Sequence, residues 1–324
     1  AADGHEAMRM AARLRPDVIT LDVEMPRLNG LGVLKQLLPH NPIPVIMLSS
    51  LTQRGAQVTL EALDLGAVDF MGKPGSASVP DLRAVERQLI TKIRTAARAR
   101  VLPSSRGRTV AKSVLSVPTV RRGHEPAVLI ASSTGGPHTL AELLSGLPEG
   151  LPACLAITQH MPPAFTEALA MRLDQCSRLK VRQASAGDTI QPGTALVAPG
   201  DYHMIIGPQG IVHLSKDPPV CGVRPAANPM MASAAANLRR PLVAVVLTGM
   251  GSDGADGAVT IKRAGGAVIA QDEQSSVIYG MPRAAAETGS CDHIVALRDM
   301  PGLLCEVVSR LARTSAPAAT ISGG

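Results

Sequence analysis

Ala127-Val128-Leu129-Ile130-Ala131-Ser132-Ser133-Thr134-Gly135-Gly136-Pro137 joins an unbroken apolar run to a turn of hydroxyls and glycines. A short apolar run without alternation reads as a strand buried on both faces, as in a parallel sheet covered by helices. Gly135 and Gly136 permit a tight turn, and Pro137 suits the first turn of a helix. The stretch is therefore strand, turn, helix. It places a serine hydroxyl at the carboxyl end of a strand, where open α/β sheets bind their ligands.

The same grammar recurs on both sides. Apolar strand candidates at Val18–Leu21, Val45–Leu48, Val68–Met71, Ala153–Thr158, Val243–Leu247 and Ala267–Ala270 alternate with helical patterns. Such alternation predicts α/β units on parallel sheets. Between Leu102 and Pro126 the periodicity gives way to Pro, Ser, Gly and Arg, as in a flexible connector. The expected organisation is a first domain over 1–101 ending with a helix near Asp81–Arg100, a basic linker over 102–126, a second domain over 127–313 and a disordered tail over 314–324. Turn residues interrupt Lys180–Leu214, which predicts a β-hairpin excursion there.

Composition removes several function classes. Five cysteines show no CxxC pair, so neither a zinc site nor a disulfide framework is indicated, and a reducing cytoplasm fits. No apolar run has the length of a membrane span, so direct membrane insertion is not expected. The net charge of +6 is concentrated between Lys92 and Arg122, where nine Lys or Arg occur without an acidic residue. With two Phe, two Tyr and no Trp, the chain lacks the stacking surfaces of single-strand binders, and nucleic acid is not an expected partner.

In the first domain, Thr20-Leu21-Asp22-Val23-Glu24-Met25-Pro26-Arg27-Leu28-Asn29-Gly30 puts Asp22 at a strand end before a loop. The next strand ends in Ser49-Ser50 and the one after in Lys73-Pro74. A carboxylate, a hydroxyl and an ammonium on one sheet edge suit a phosphoryl group; alternatively Asp22 caps a loop and Lys73 is solvated. Leu21–Pro26, Ser49–Thr52 and Lys73–Pro74 together resemble the receiver domain of bacterial response regulators, as found in chemotaxis methylesterases. The resemblance implies a flavodoxin-like fold with Asp22 as phosphoacceptor and Ser49 and Lys73 contacting the phosphoryl oxygens. It also implies Mg²⁺ held by Asp22 and the Glu24 backbone. The chain opens at Ala1-Ala2-Asp3-Gly4, near the end of that family's second strand, without the acidic pair that completes the metal site. The receiver is accordingly expected to be partial, poorly ordered and open along the edge of the Val18–Leu21 strand.

In the second domain, a nucleophile at Ser133 faces the expected ligand crevice, and the Thr134 N–H near the helix start suits an oxyanion. A phosphate-binding loop competes, although the stretch has neither GxxxxGK[ST] nor GxGxxG. The strand Ala153–Thr158 ends in Gln159-His160-Met161-Pro162-Pro163, which offers His160 as general base. The strand Val243–Leu247 leads to Thr248-Gly249-Met250-Gly251-Ser252-Asp253-Gly254, where Asp253 either orients the imidazole or caps a helix.

These segments, with Gln271-Asp272-Glu273 and Tyr279-Gly280-Met281-Pro282-Arg283, resemble the CheB family of protein-glutamate methylesterases. The resemblance runs from Ala1 to about Leu311 and implies a doubly wound, mostly parallel-sheet catalytic domain. It implies Ser133 as nucleophile, His160 as base, Asp253 as orienter and the Met250 N–H in the oxyanion hole. It further implies receptor glutamine deamidation, no cofactor for hydrolysis, and methylated chemoreceptor cytoplasmic domains and a chemotaxis histidine kinase as partners. Two segments depart from the family pattern. Ala131-Ser132-Ser133 stands where Gly-Ala-Ser is frequent, and Arg224-Pro225-Ala226-Ala227-Asn228-Pro229 replaces the more usual Arg-Pro-Ser-Val-Asp, a change expected to alter substrate contacts without touching the triad. Two rival readings remain: an α/β-hydrolase-type esterase using Ser133, Asp253 and His293, and a nonenzymatic phosphorylation-controlled binding module.

Overall fold

The computed structural model describes residues 1–73, 82–99 and 124–314. The first unit opens with α1 (Gly4–Leu14), β1 (Ile19–Asp22), α2 (Gly30–Leu37), β2 (Val45–Ser49), α3 (Gln53–Asp64), β3 (Asp69–Gly72) and α4 (Leu82–Ala96). Its strands form a parallel sheet in the order β1-β2-β3, so β1 lies at an edge as expected. Val45, Ile46 and Met47 are fully buried, and the apolar residues of α2 and α3 close over them.

The second unit is built on a sheet of seven strands in the order β12-β11-β10-β4-β5-β7-β6. In chain order it comprises β4 (Ala127–Ser132), α5 (Gly136–Ser145), β5 (Cys154–Gln159), α6 (Pro163–Cys176), β6 (Lys180–Gln183), β7 (Thr194–Val197), β8 (His203–Ile206) and β9 (Val212–Ser215). There follow α7 (Ala227–Asn237), β10 (Leu242–Val246), α8 (Ala255–Arg263), β11 (Ala267–Gln271), α9 (Met281–Glu287), β12 (His293–Val295) and α10 (Met300–Thr314). Every ladder in this sheet is parallel. The central strands β4, β5, β10 and β11 are buried along their whole length, which explains their unbroken apolar sequence.

The hairpin excursion is confined to β8 and β9, which pair antiparallel outside the main sheet. Broken as it is by Gly and Pro, Lys180–Val197 instead supplies two strands to the main sheet. From β4 the chain moves to β5, jumps to the edge strand β6, fills the gap with β7, and then returns to β10 on the other side of β4. β4 and β10 therefore flank the topological switch point, where such sheets form their ligand crevice.

The two units share an apolar contact. Phe70 of β3 and Phe165 of α6, the chain's two phenylalanines, are both buried with ring centroids 4.4 Å apart at an interplanar angle of 41°. Arg172 of α6 pairs with Asp64 of α3 and donates to the Leu60 carbonyl. Linker residues 102–123 and the tail beyond residue 314 fall outside the described residues. All five cysteines are free. Among the described residues no helix is long and apolar enough to cross a membrane.

Candidate active site

Three strands around the switch point each deliver one side chain. β4 leads to Ser133, β5 to His160 and the turn after β10 to Asp253. His160 Nε2 lies 2.7 Å from Asp253 Oδ2, with the imidazole one-tenth exposed and the carboxylate buried. Asp253 Oδ2 also accepts the Ala227 N–H at 2.6 Å, and Oδ1 accepts the Asn228 N–H at 3.0 Å. Burial pushes the Asp253 carboxyl up. The hydrogen bond and charge of His160, together with the two backbone N–H groups, outweigh it and hold the group below the usual carboxylate range. The segment Arg224–Pro229 thus touches the orienting carboxylate through two backbone N–H groups, contacts that do not depend on its departure from the family pattern. The cause is that the N-terminus of α7 points its free N–H groups at Asp253.

The two adjacent serines separate cleanly. Ser132, the last residue of β4, is fully buried and donates to Gln159 Oε1 at 2.8 Å. Ser133 is half-buried and lines a cleft of about 740 Å³ together with Thr134, Gly135, His160 and Met250. Ser133 Oγ has no hydrogen bond to His160 among the described residues; such bonds often close only when substrate is bound. With Nε2 engaged by Asp253, Nδ1 is the ring nitrogen left for the serine proton.

The turn is held by its neighbours. Gly135 has φ 78°, in the left-handed region that glycine adopts freely, and a Cβ on Gly136 would collide with the Gln159 side chain. Gln159 is buried and its Nε2 donates to the carbonyls of Ser133 (2.9 Å) and His160 (3.1 Å), tying nucleophile to base. The Ser133 N–H donates to the Thr248 carbonyl, and the Thr248 N–H to Gln271 Oε1. The Gly249 carbonyl accepts from both Gly280 and Met281, so the Tyr279–Pro282 motif braces the turn that carries Met250. The N–H groups of Thr134 and Met250 have no acceptor among the described residues. Gln159 and Asn228 stand in segments that the sequence singles out, but the roles of their side chains are not legible there, since polar residues beside a motif carry no periodic pattern.

His293, the base of the rival hydrolase reading, starts β12, three strand positions from β4 or roughly 14 Å across the sheet. It does not line the cleft.

The receiver edge is only partly assembled. Lys73 Nζ lies 2.5 Å from Asp22 Oδ2, and Asp22 Oδ1 accepts the Glu24 N–H at 3.1 Å. The Ser49 hydroxyl is buried and donates to the Gly55 carbonyl at 3.1 Å, turned into its own loop rather than toward Asp22. Asp3 caps α1 and pairs with Arg27. Around Asp22 the described residues offer Mg²⁺ a single carboxylate, itself paired with Lys73, and nowhere among them do three His, Cys, Asp or Glu cluster. That donor set is too small for Mg²⁺ by itself.

The receiver also reaches the cleft. Asp69 accepts the Thr134 hydroxyl at 2.8 Å and Lys92 at 2.6 Å, and the Thr95 hydroxyl meets Met250 Sδ at 2.9 Å.

The family model for CheB methylesterase matches residues 128–304, and that for the response regulator receiver domain matches residues 1–83. A protein-glutamate methylesterase/protein-glutamine glutaminase of Pyrococcus abyssi is 47% identical over 318 residues, covering 96% of this chain and 86% of that protein. The chain belongs to the CheB methylesterase family. A second such enzyme, from Pseudomonas aeruginosa, is 44% identical over 313 residues, covering 96% of this chain and 88% of its own length. The crystal structure of the Thermotoga maritima CheB methylesterase catalytic domain is similar with a TM-score of 0.54 and 42% identity, over 56% of this chain and 97% of that one. The expected architecture, an α/β ester hydrolase of this family behind a receiver domain, therefore stands.

Proposed function

We propose that the chain hydrolyses glutamyl methyl esters on the cytoplasmic segments of chemoreceptors through an acyl-enzyme on Ser133. The observation that supports this reading most is the His160–Asp253 bond at the sheet's switch point, with the Ser133 hydroxyl free in the same cleft. Ser133 Oγ attacks the ester carbonyl carbon and passes its proton to His160 Nδ1. Asp253, held below the usual carboxylate range by His160 and by the N–H groups of α7, holds the ring through Nε2 and stabilises the imidazolium. The N–H groups of Thr134 and Met250 receive the developing oxyanion. The proton returns to the leaving methoxide, and methanol departs. Water, deprotonated in turn by His160, then cleaves the acyl-enzyme to a glutamate carboxylate. A glutamine side chain follows the same course with ammonia leaving.

The receiver would couple to this chemistry through β3. That strand carries Asp69, bonded to Thr134, and Phe70, stacked on Phe165, and it ends one residue before Lys73, the partner of Asp22. Phosphorylation of Asp22 by a chemotaxis histidine kinase would redirect Lys73, and Ser49 would turn to the phosphoryl oxygens. In the same reading the receiver spans 1–101, the linker 102–126 and the catalytic domain 127–313. Methanol release from methylated receptor tests the hydrolytic core. Ser133→Ala is expected to lose it by roughly 10⁴-fold or more, whereas Ser132→Ala retains measurable turnover. Equal losses in both variants, or survival in Ser133→Ala, would remove Ser133 as nucleophile.

A further inference from the structure

Two helices of the catalytic domain cap one another beside the triad. α7 starts after Ala226 and α8 after Gly254, neither of which has a side chain able to cap. The missing caps are exchanged. The Asp253 carboxylate accepts the first N–H groups of α7, from Ala227 and Asn228. In return Asn228 Oδ1 accepts the N–H groups of Gly254 and Gly257 at the start of α8, both at 2.9 Å. Asn228 is 9% exposed and Asp253 1%, so water does not substitute for either set of bonds. The Asp253 oxygen that takes the Ala227 N–H is also the one that meets His160.

We propose that Asn228 is a positioning residue of the hydrolase, a neutral amide that locks Asp253 onto His160 without adding charge beside it; the proposal rests on the triad reading above. Its backbone N–H holds one carboxylate oxygen, and its side chain fixes the Gly254–Gly257 turn that follows Asp253. An aliphatic residue leaves two buried N–H groups without acceptors. A carboxylate keeps both acceptors but sets a second negative charge next to Asp253. These two substitutions therefore separate position from charge.

The charged groups facing the pair are few. Cys221 and Asp256 lie on the Asp253 side, and Arg224 is bound to Asp201. Across the cleft stand Lys73, Arg87 and the Asp69–Lys92 pair of the receiver. A charge introduced at position 228 would be closer in sequence and packing to Asp253 than any of these receiver groups.

The test uses the full chain, with methanol release from methylated receptor cytoplasmic fragments followed against pH. Asn228→Asp should fold with its alkaline kcat within about threefold of the parent. Its acid limb in kcat/KM should move up by ~1 pH unit, because the extra carboxylate favours the charged imidazole. Asn228→Ala should lose roughly 10- to 100-fold in kcat with KM within about twofold, as expected when a catalytic group is misplaced rather than a substrate contact removed. An unmoved acid limb in Asn228→Asp overturns the proposal, and so does a folded Asn228→Ala with parental kcat. If Asn228→Ala does not fold, the pH profile of Asn228→Asp decides. Ser133→Ala, run alongside, separates the two readings. Activity surviving in it sinks the triad itself, whereas its loss combined with parental behaviour of both Asn228 variants sinks only the role of Asn228.

Discussion

Replacing Gln159 by leucine should damage both stability and catalysis, because one buried amide serves three backbone and side-chain partners at once. Its Nε2 bonds the carbonyls of Ser133 and His160, and its Oε1 accepts from Ser132, which keeps only a 3.4 Å contact to the Thr158 carbonyl when that bond is lost. A buried polar group without a partner costs about 1–3 kcal/mol. The two carbonyls border the cleft, where water replaces part of the loss, so about 2–4 kcal/mol is expected for the variant. For a domain of this size that corresponds to a fall in Tm of roughly 5–15 °C. The freed turn should also lower kcat by about 10- to 100-fold, since Ser133 and His160 are no longer tied to one amide. Thermal unfolding followed by circular dichroism, with methanol release on the folded variant, measures both. A Tm within about 1 °C of the parent together with unchanged kcat would refute the clamp. Gln159→Glu supplies the control: it keeps the Ser132 bond but turns a buried carboxylate oxygen toward the two carbonyls, so at neutral pH it should be at least as destabilised as Gln159→Leu.

Two further outcomes follow from the same geometry. Because the Asp253 carboxyl is held below its unfolded value, its stabilising contribution is fully present above the usual carboxylate range and is lost as pH falls through the lowered value. The difference in Tm between the parent and Asp253→Asn should therefore shrink on acidification from about pH 7 to pH 3, and a difference independent of pH would show that the charge of Asp253 is not what stabilises the site. Arg172→Ala should loosen the contact between α3 and α6. A half-buried ion pair of about 1 kcal/mol corresponds to roughly fivefold in the population with the cleft open, so basal turnover of methylated receptor should rise by that order. Turnover equal to the parent's would mean that the receiver does not limit access.

The parallel sheets were legible because their central strands are buried on both faces and write themselves as unbroken apolar runs. The hydrolase motifs were legible because each closes such a strand, so sequence position translated directly into place on one sheet edge. Three features were not. The expected hairpin is there as β8 and β9, but the same Gly- and Pro-rich region also gives β6 and β7 to the main sheet as short strands that alternation alone cannot assign. The roles of Ala227 and Asn228 escaped because backbone N–H groups at a helix start bond Asp253 whatever side chains they carry. The contact of Phe70 with Phe165 links residues far apart in sequence, and neither neighbourhood hints at the other. Ser49 marks a different limit: sequence places it at the right strand end, but its hydroxyl follows the nearest carbonyl, that of Gly55.

The choice of histidine is the most direct test of the Ser133–His160–Asp253 triad. Methanol release from methylated receptor should be measured for His160→Ala and His293→Ala beside the parent, each checked for parental thermal unfolding. With His160 as the base, the rate falls roughly 10⁴-fold in His160→Ala and stays near-parental in His293→Ala. Activity that survives in His160→Ala and disappears in His293→Ala would contradict that assignment.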